Sequence, residues 1–409
     1  MRLGDVCRFQ NGYAFKSGSF ITDGEYKIIK IKELKDGQVR FFQDSASINP
    51  STKLNQYEVA KDDVLFALTG DPVNKNNPLS WVGRVSINNN EKPAYLNQRV
   101  CKAIPNEKEL DSWYLYYYFR VFENFYALAQ RATGSASQAN ISTSTISDVN
   151  INLPPFAEQV EIANTLRTLD EKIAINTKIN HHLEQMAQAI FKSWFVDFEP
   201  FGGIMPNDWQ ETLLDEVCVT VTKGTTPTTL KKQFVDQGIN FIKAESILGD
   251  HSIDFGKLAF IDDETNTLLN RSVIQSNDII FTIAGTLGRF AFVLEDLLPA
   301  NTNQAVAIIR ADNSKINPVT LYSFFVGGLH SDFYSRNIQQ AVQANLSLTT
   351  IKALSLHLPP KEIFAKYTNL VEPLFERIFQ NYAENRKLAT LRDILLPRLM
   401  SGELSVVDI

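Results

Sequence analysis

The chain has 409 residues, 44% of them hydrophobic and 21% charged, enough to fill the cores of two ordinary domains with connecting structure between them. No apolar run could span a bilayer, the opening MRLGDVCRFQNG lacks a signal-peptide core, and Cys7, Cys101 and Cys218 fit neither a disulfide framework nor a CxxC zinc pair. The net charge of −6 speaks against a simple non-specific nucleic-acid binder, although residues 1–155 hold 18 Lys and Arg against 16 Asp and Glu. These features predict a cytoplasmic protein with no membrane segment.

Read in chain order, the first half supplies a pattern that the second half repeats. Val6-Cys7 and Gly12 precede a polar loop, Lys16, Ser17 and Ser19 among its residues. Asp63-Val-Leu-Phe-Ala-Leu-Thr-Gly70 is an apolar run closed by glycine, which predicts a buried strand entering a turn. Gly83-Arg84, then Leu96-Asn97-Gln98-Arg99-Val100, then QANIS (138–142) follow. In the second half the counterparts are Val217-Cys218, Gly224, Asp278-Ile-Ile-Phe-Thr-Ile-Ala-Gly285, Gly288-Arg289, Thr302-Asn303-Gln304-Ala305-Val306 and QANLS (343–347). The offsets drift between 205 and 215, so insertions sit in loops while strands persist.

INLPP (151–155) and LHLPP (356–360) each close a globular segment, and after each the period becomes helical. Leu166, Leu169, Ile173, Leu183, Met186 and Ile190 match Val371, Leu374, Ile378, Leu388, Leu391 and Leu395, every pair at offset 205. Three-and-four spacing held this long predicts a coiled-coil seam on helices of about forty residues, each roughly 60 Å long. Pro373 predicts a kink in the second helix. The expected fold is α/β (α+β): two similar globular domains, 1–155 and 201–360, separated by two antiparallel helices, 156–200 and 361–409, with a pseudo-two-fold repeat. In that arrangement Asn176 meets Asn385, Asn180 meets Asn381, Ile173 meets Leu388 and Leu183 meets Ile378. Buried amides that satisfy only each other would fix the helix register; asparagines facing water would be the plainer alternative.

Catalytic motifs are missing. NLPPF (152–156) comes near the N-P-P-F/Y string of adenine-N6 methyltransferases, but Leu153 spoils the spacing and HLPPK lacks both asparagine and aromatic. No GxxxxGK[ST] or glycine-rich nucleotide loop is present. The triplets Glu25-Tyr26-Lys27 and Glu33-Leu34-Lys35 have no nuclease partner, and the five histidines, His181-His182 included, show no ligand spacing. The expectation is a non-catalytic chain without a metal.

The strings LDEKIAINTKINHHLEQMAQAIFKSWFVDFEPF (169–201) and ENRKLATLRDILLPRLMSGEL (384–404) resemble the central and distal regions of type I restriction–modification specificity subunits. GYAFKSGSF (12–20) and GTTPTT (224–229) look like the opening loops of that family's target recognition domains, so the resemblance covers the whole chain. It implies a subunit that binds double-stranded DNA at a bipartite, asymmetric target, one half-site per domain, with the helices as a ruler. It also implies one copy per complex, two modification subunits that methylate adenine with S-adenosylmethionine, and restriction subunits that use ATP and Mg. No cofactor would be bound by this chain itself.

Candidate DNA-binding residues are Lys16, Ser17 and Ser19 in the first loop, and Lys223, Thr225, Thr226, Thr228, Lys231 and Lys232 in the second. Arg84, Arg99 and Arg289 join them because arginine grips guanine bidentately. The shared Asn97-Gln98 and Asn303-Gln304, and Gln138/Asn140 with Gln343/Asn345, read as loop architecture or as contacts to the common DNA backbone, with architecture preferred, since domains reading different bases have no reason to share their base readers. A coiled-coil adaptor that never touches DNA and a self-contained adenine-N6 methyltransferase remain the rival readings.

Overall fold

Val64–Ala67 and Ile279–Thr282 are buried at every residue, as unbroken apolar runs require when both faces of a strand are covered. Each is the third strand of a sheet with one order in both halves. In the first half the order is Cys7–Asn11, Val100–Pro105, Val64–Ala67, Val85–Ile87, extended by Gln38–Val39 and Leu34–Lys35. In the second it is Cys218–Lys223, Val306–Ala311, Ile279–Thr282, Phe290–Phe292. A smaller sheet repeats as well, with Tyr26–Ile29 parallel to Ala94–Leu96 and Ile239–Ile242 parallel to Ala300–Thr302. The computed structural model describes residues 1–71, 81–135, 138–329 and 345–406, and Gln343 lies outside them.

Both long helices are present, Phe156–Phe195 and Lys361–Ser401. The second runs unbroken through Pro373, so the helix does not end where an interior proline predicts disruption. Pro373 and Asn369, whose carbonyl it leaves without a helical donor, are both exposed, and water can satisfy that oxygen.

The chain divides into two units, Met1–Ile173 with Lys387–Ile409, and Ala174–Arg386. In the first, Leu3, Phe66 and Tyr117 share one core with Ile162, Ala163 and Leu166 of the first long helix and Leu395, Leu396, Leu399 and Met400 of the second. In the other, Phe281, Phe290 and Phe325 share a core with Ala187 and Phe191 of the first helix and Tyr367, Val371, Phe375 and Ile378 of the second. Within each unit an early stretch of one helix therefore packs beside a late stretch of the other, as antiparallel packing demands. The seam departs from the apolar reading at one place: Met186 and Leu391 are 52% and 45% exposed. Alternating steps of four and three run instead through Ala187 and Arg392, themselves 205 apart, and Arg392 stays inside by pairing with Asp170 at 2.7 Å.

Each globular segment is zipped shut where it joins its helix. Leu3 N–H donates to Val149 O and Ile151 N–H to Met1 O at 2.8 and 2.9 Å, while Gln210–Leu213 pairs antiparallel with Ser355–Leu358. The prolines follow at once. Behind Pro154-Pro155, the buried Gln159 amide donates to Pro154 O (2.9 Å) and Glu109 O (3.0 Å) and accepts from Asp111 N–H (3.1 Å), fixing how the helix leaves the domain.

Candidate nucleic-acid interface

The matched glycines and Asn-Gln pairs have one explanation. After the first strand of each sheet the chain crosses tightly over a turn, and a Cβ on Gly12 or Gly224 would collide with the carbonyl of Asn97 or Thr302. Tyr13 N–H donates to Leu96 O (2.8 Å) and Gln98 N–H to Tyr13 O (3.0 Å); Gly224 N–H donates to Asn303 O (3.2 Å). Asn303 Oδ1 accepts from Ala305 N–H (3.0 Å), and Gln304 Oε1 takes both the N–H (3.2 Å) and the hydroxyl of Thr226. Asn140 accepts from the Thr69 hydroxyl at 2.9 Å, holding Gln138–Asn140 against Thr69–Gly70. The side chains of Asn140, Asn303 and Gln304 thus brace the frame.

What the crossings display differs between the halves. In the first, Lys16, Ser17 and Ser19 are exposed on a short turn, with Ser19 bonding back to Lys16 O at 2.7 Å. Exposed Arg99 follows Gln98 in the supporting turn. Tyr13, 43% exposed, lies against Phe15 and Tyr57 with ring centroids at 5.0 and 5.3 Å. In the second half Lys223, Thr225, Thr226 and Thr228 lead to Lys231, held at φ 56°. Arg271 reaches this loop from a neighbouring turn, its Nη2 3.4 Å from both Lys223 O and Thr225 Oγ1. Tyr13, Arg271 and Gln304 were not picked out from the sequence as surface groups of these loops; no local pattern marks Arg271, which lies 46 residues beyond Thr225.

Three other candidates have partners within the chain. Lys232 pairs with Glu264 at 2.6 Å, Arg289 Nη1 donates to Ile247 O at 3.0 Å, and the half-buried Arg84 guanidinium lies 4.9 Å from the Trp81 ring centre.

Each half also holds an ion pair that the sequence did not reveal. Asp278 is 0% exposed and receives Arg310 Nε and Nη2, each at 2.7 Å. Burial pushes its carboxyl up, and Arg310 pulls it part of the way back. Asp63 and Lys102 make the matching pair in the first half at 3.1 Å. Burial also pushes the Cys7 and Cys218 thiols up to about 12, away from the thiolate form.

On the helices, Asn176 Nδ2 donates to Asn385 Oδ1 (2.9 Å) and Glu384 Oε2 (2.7 Å), and Asn381 Nδ2 donates to Asn180 Oδ1 (2.7 Å). The amides are not satisfied by each other alone: Asn180 donates to Ile378 O, while Asn176 Oδ1 and Asn381 Oδ1 are buried without a hydrogen-bond partner. The first domain is tied to its helix segments by Tyr117 OH and Arg392 Nη1, 2.8 and 2.7 Å from the two oxygens of Asp170. Among the described residues no His, Cys, Asp and Glu cluster could hold a metal, and no helix is long and apolar enough to cross a membrane.

Comparison with known proteins agrees with this architecture. The type I restriction modification DNA specificity domain matches residues 1–185 and 206–377. The specificity subunit of the type I restriction enzyme EcoBI from Escherichia coli is 26% identical over 98% of this chain and 85% of its own length. The MjaIX specificity subunit of Methanocaldococcus jannaschii is 26% identical over 80% of this chain and 76% of its own. The crystal structure of a type I restriction-modification S subunit from M. genitalium shares the fold at a TM-score of 0.58 and 17% identity, covering 98% of this chain and 95% of that one. Two specificity domains, each followed by a long helix, place this chain in the family of type I restriction–modification DNA specificity subunits.

Proposed function

We propose that this chain selects the DNA target of a type I restriction–modification complex, each globular half reading one part of a bipartite, asymmetric sequence while the helices set the unread gap. The observation that carries this reading is the pair of crossing loops: one frame, built twice, presents Lys16, Ser17 and Ser19 in one half and Lys223, Thr225, Thr226, Thr228 and Lys231 in the other. Cations meet phosphates and supply salt-dependent affinity, and hydroxyls and guanidinium groups such as Arg99 read base edges. Lys232, Arg84 and Arg289, which also have partners within the chain, add further cationic contacts to DNA in this reading.

Two half-sites on one scaffold bind far better together than apart when the DNA gap suits the scaffold. The chain itself is non-catalytic. One copy serves two modification subunits, which methylate adenine with S-adenosylmethionine after the base leaves the stack, and restriction subunits that use ATP and Mg. Assembly on cytoplasmic DNA brings in the basic surface that an acidic chain of net charge −6 lacks.

The test is a map of methylated adenines in cells expressing the assembly. One split motif is expected, and exchanging residues 1–155 for those of a relative should alter only one half of it. Methylation by the chain alone would revive the methyltransferase reading. Absence of any split motif, with DNA contacted only by the partners, would favour the adaptor.

A further inference from the structure

We propose that His251 and Glu184 are positioning residues: hairpin 247–253 is a peg that locks the second recognition domain onto its stretch of the helix pair, and discrimination of gap length depends on it. This rests on the function proposed above. The hairpin closes with an Ile247–Ile253 bridge and a Leu248 N–H to Ser252 O bond of 2.9 Å. At its tip His251 sits at φ 63°, a conformation that favours glycine. Its ring stacks on Phe290 with centroids 3.9 Å apart, and its Nε2 lies 3.1 Å from Glu184 Oε1 on the first long helix. The adjacent Asp250 O accepts from Tyr382 OH of the second long helix at 2.9 Å. Arg386 pairs with Asp296 and lies 4.9 Å from the Phe255 ring centre, while Phe292 and Phe379 stack at 4.6 Å. A cavity of only about 20 Å³ remains among these groups.

The first half shows what this position looks like without a peg. Its corresponding hairpin, Leu34–Val39, turns at Asp36 and Gly37, with φ 55° and 79°. Gly37 offers no side chain, and a Cβ there would lie 2.7 Å from Arg120 Nη1 and Tyr116 Oη. An open cleft of about 370 Å³, lined by Asp36, Gly37, Arg84, Phe119, Arg120 and Phe122, occupies the neighbouring space. That domain is fastened through Tyr117, Asp170 and Arg392 instead. A histidine at positive φ with a buried, unpartnered Nδ1 is locally unfavourable, and a simple turn would do better with glycine. The contacts of the tip to both helices account for it.

The gap is where such a peg acts. One base pair more or fewer moves a half-site by about 3.4 Å and turns it by roughly 35°. A domain held firmly on its helices rejects that change; a domain free to rock tolerates it.

The experiment uses the assembly with its modification subunits and duplexes that differ only by one base pair of gap. His251→Gly suits the backbone and copies the first half, so folding is retained; a melting curve checks this. The preference for the native gap should fall about ten-fold, with base preference unchanged in both halves. Glu184→Ala should do the same, and the double variant should add little. Faster amide exchange across 247–253 in the chain alone should accompany the loss. An unchanged gap preference in His251→Gly overturns the inference while leaving the function standing, and altered base preference overturns it by making the hairpin a reader. A wild-type assembly that methylates no split motif sinks the function and the peg together, which separates that failure from the other two.

Discussion

Replacing Arg310 by Met should cost the unit Ala174–Arg386 far more than a surface ion pair would. Asp278 keeps no exposure and depends on two guanidinium bonds of 2.7 Å. Removing the cation strands a buried carboxylate, a change that costs about 3–5 kcal/mol. At about 2–4 °C per kcal/mol for a body of this size, melting should fall by roughly 6–20 °C near neutral pH. The sign of the pH dependence follows from burial. The folded carboxyl already titrates above its ordinary 3.8, so its contribution to stability is full below that value and declines as pH rises through the raised one. Without Arg310 the folded value rises further, and the penalty persists to higher pH. The gap between variant and wild type should therefore widen from pH 4.5 to pH 7. Adding Asp278→Asn should recover much of the loss and remove that trend. Lys102→Met should cost less, about 1–2 kcal/mol, because Asp63 keeps 25% side-chain exposure and its contact is a single one at 3.1 Å. Circular-dichroism melts across this pH range decide the matter. A loss below about 1 kcal/mol for Arg310→Met, or one independent of pH, would refute the argument from desolvation.

Gly224→Ala should destabilise by about 1–3 kcal/mol and weaken recognition of the second half-site, because its Cβ meets the Thr302 carbonyl. Gly18→Ala, with open space around it, should melt like wild type. Asn381→Ala leaves Asn180 Oδ1 without its 2.7 Å donor and should cost about 1–3 kcal/mol by denaturant titration. Leucine at both 180 and 381 should instead raise stability while light scattering shows mixed assembly, if the amides hold the register. Lys16→Ala should lower the slope of log affinity against log salt by about 1 without changing the motif.

Much of the frame was legible because duplication writes it twice. The helix starts followed from LPP and the change of period, and QANIS marked a joint between loop and sheet. What stayed hidden depends on partners far apart in the chain. Arg392 occupies a seam position, yet apolarity pointed to Leu391; Asp170, 222 residues away, pairs with it there, together with the neighbouring Asp393. Pro373 lies inside an unbroken helix, and the sequence alone does not show that its face meets water. Arg271, Arg310 and His251 carry no local signature, since each is defined by a surface folded onto it from elsewhere.

The first core has a consequence for how the protein is made. Ile162, Ala163 and Leu166 share their core with Leu395, Leu396, Leu399 and Met400. Those residues leave the ribosome long after residues 1–173, so the nascent first domain must wait with an open apolar flank for a chaperone or for the rest of synthesis. A chain stopped before Lys387 keeps the second core whole and leaves the first unsealed, which makes prematurely terminated copies ready substrates for proteolysis.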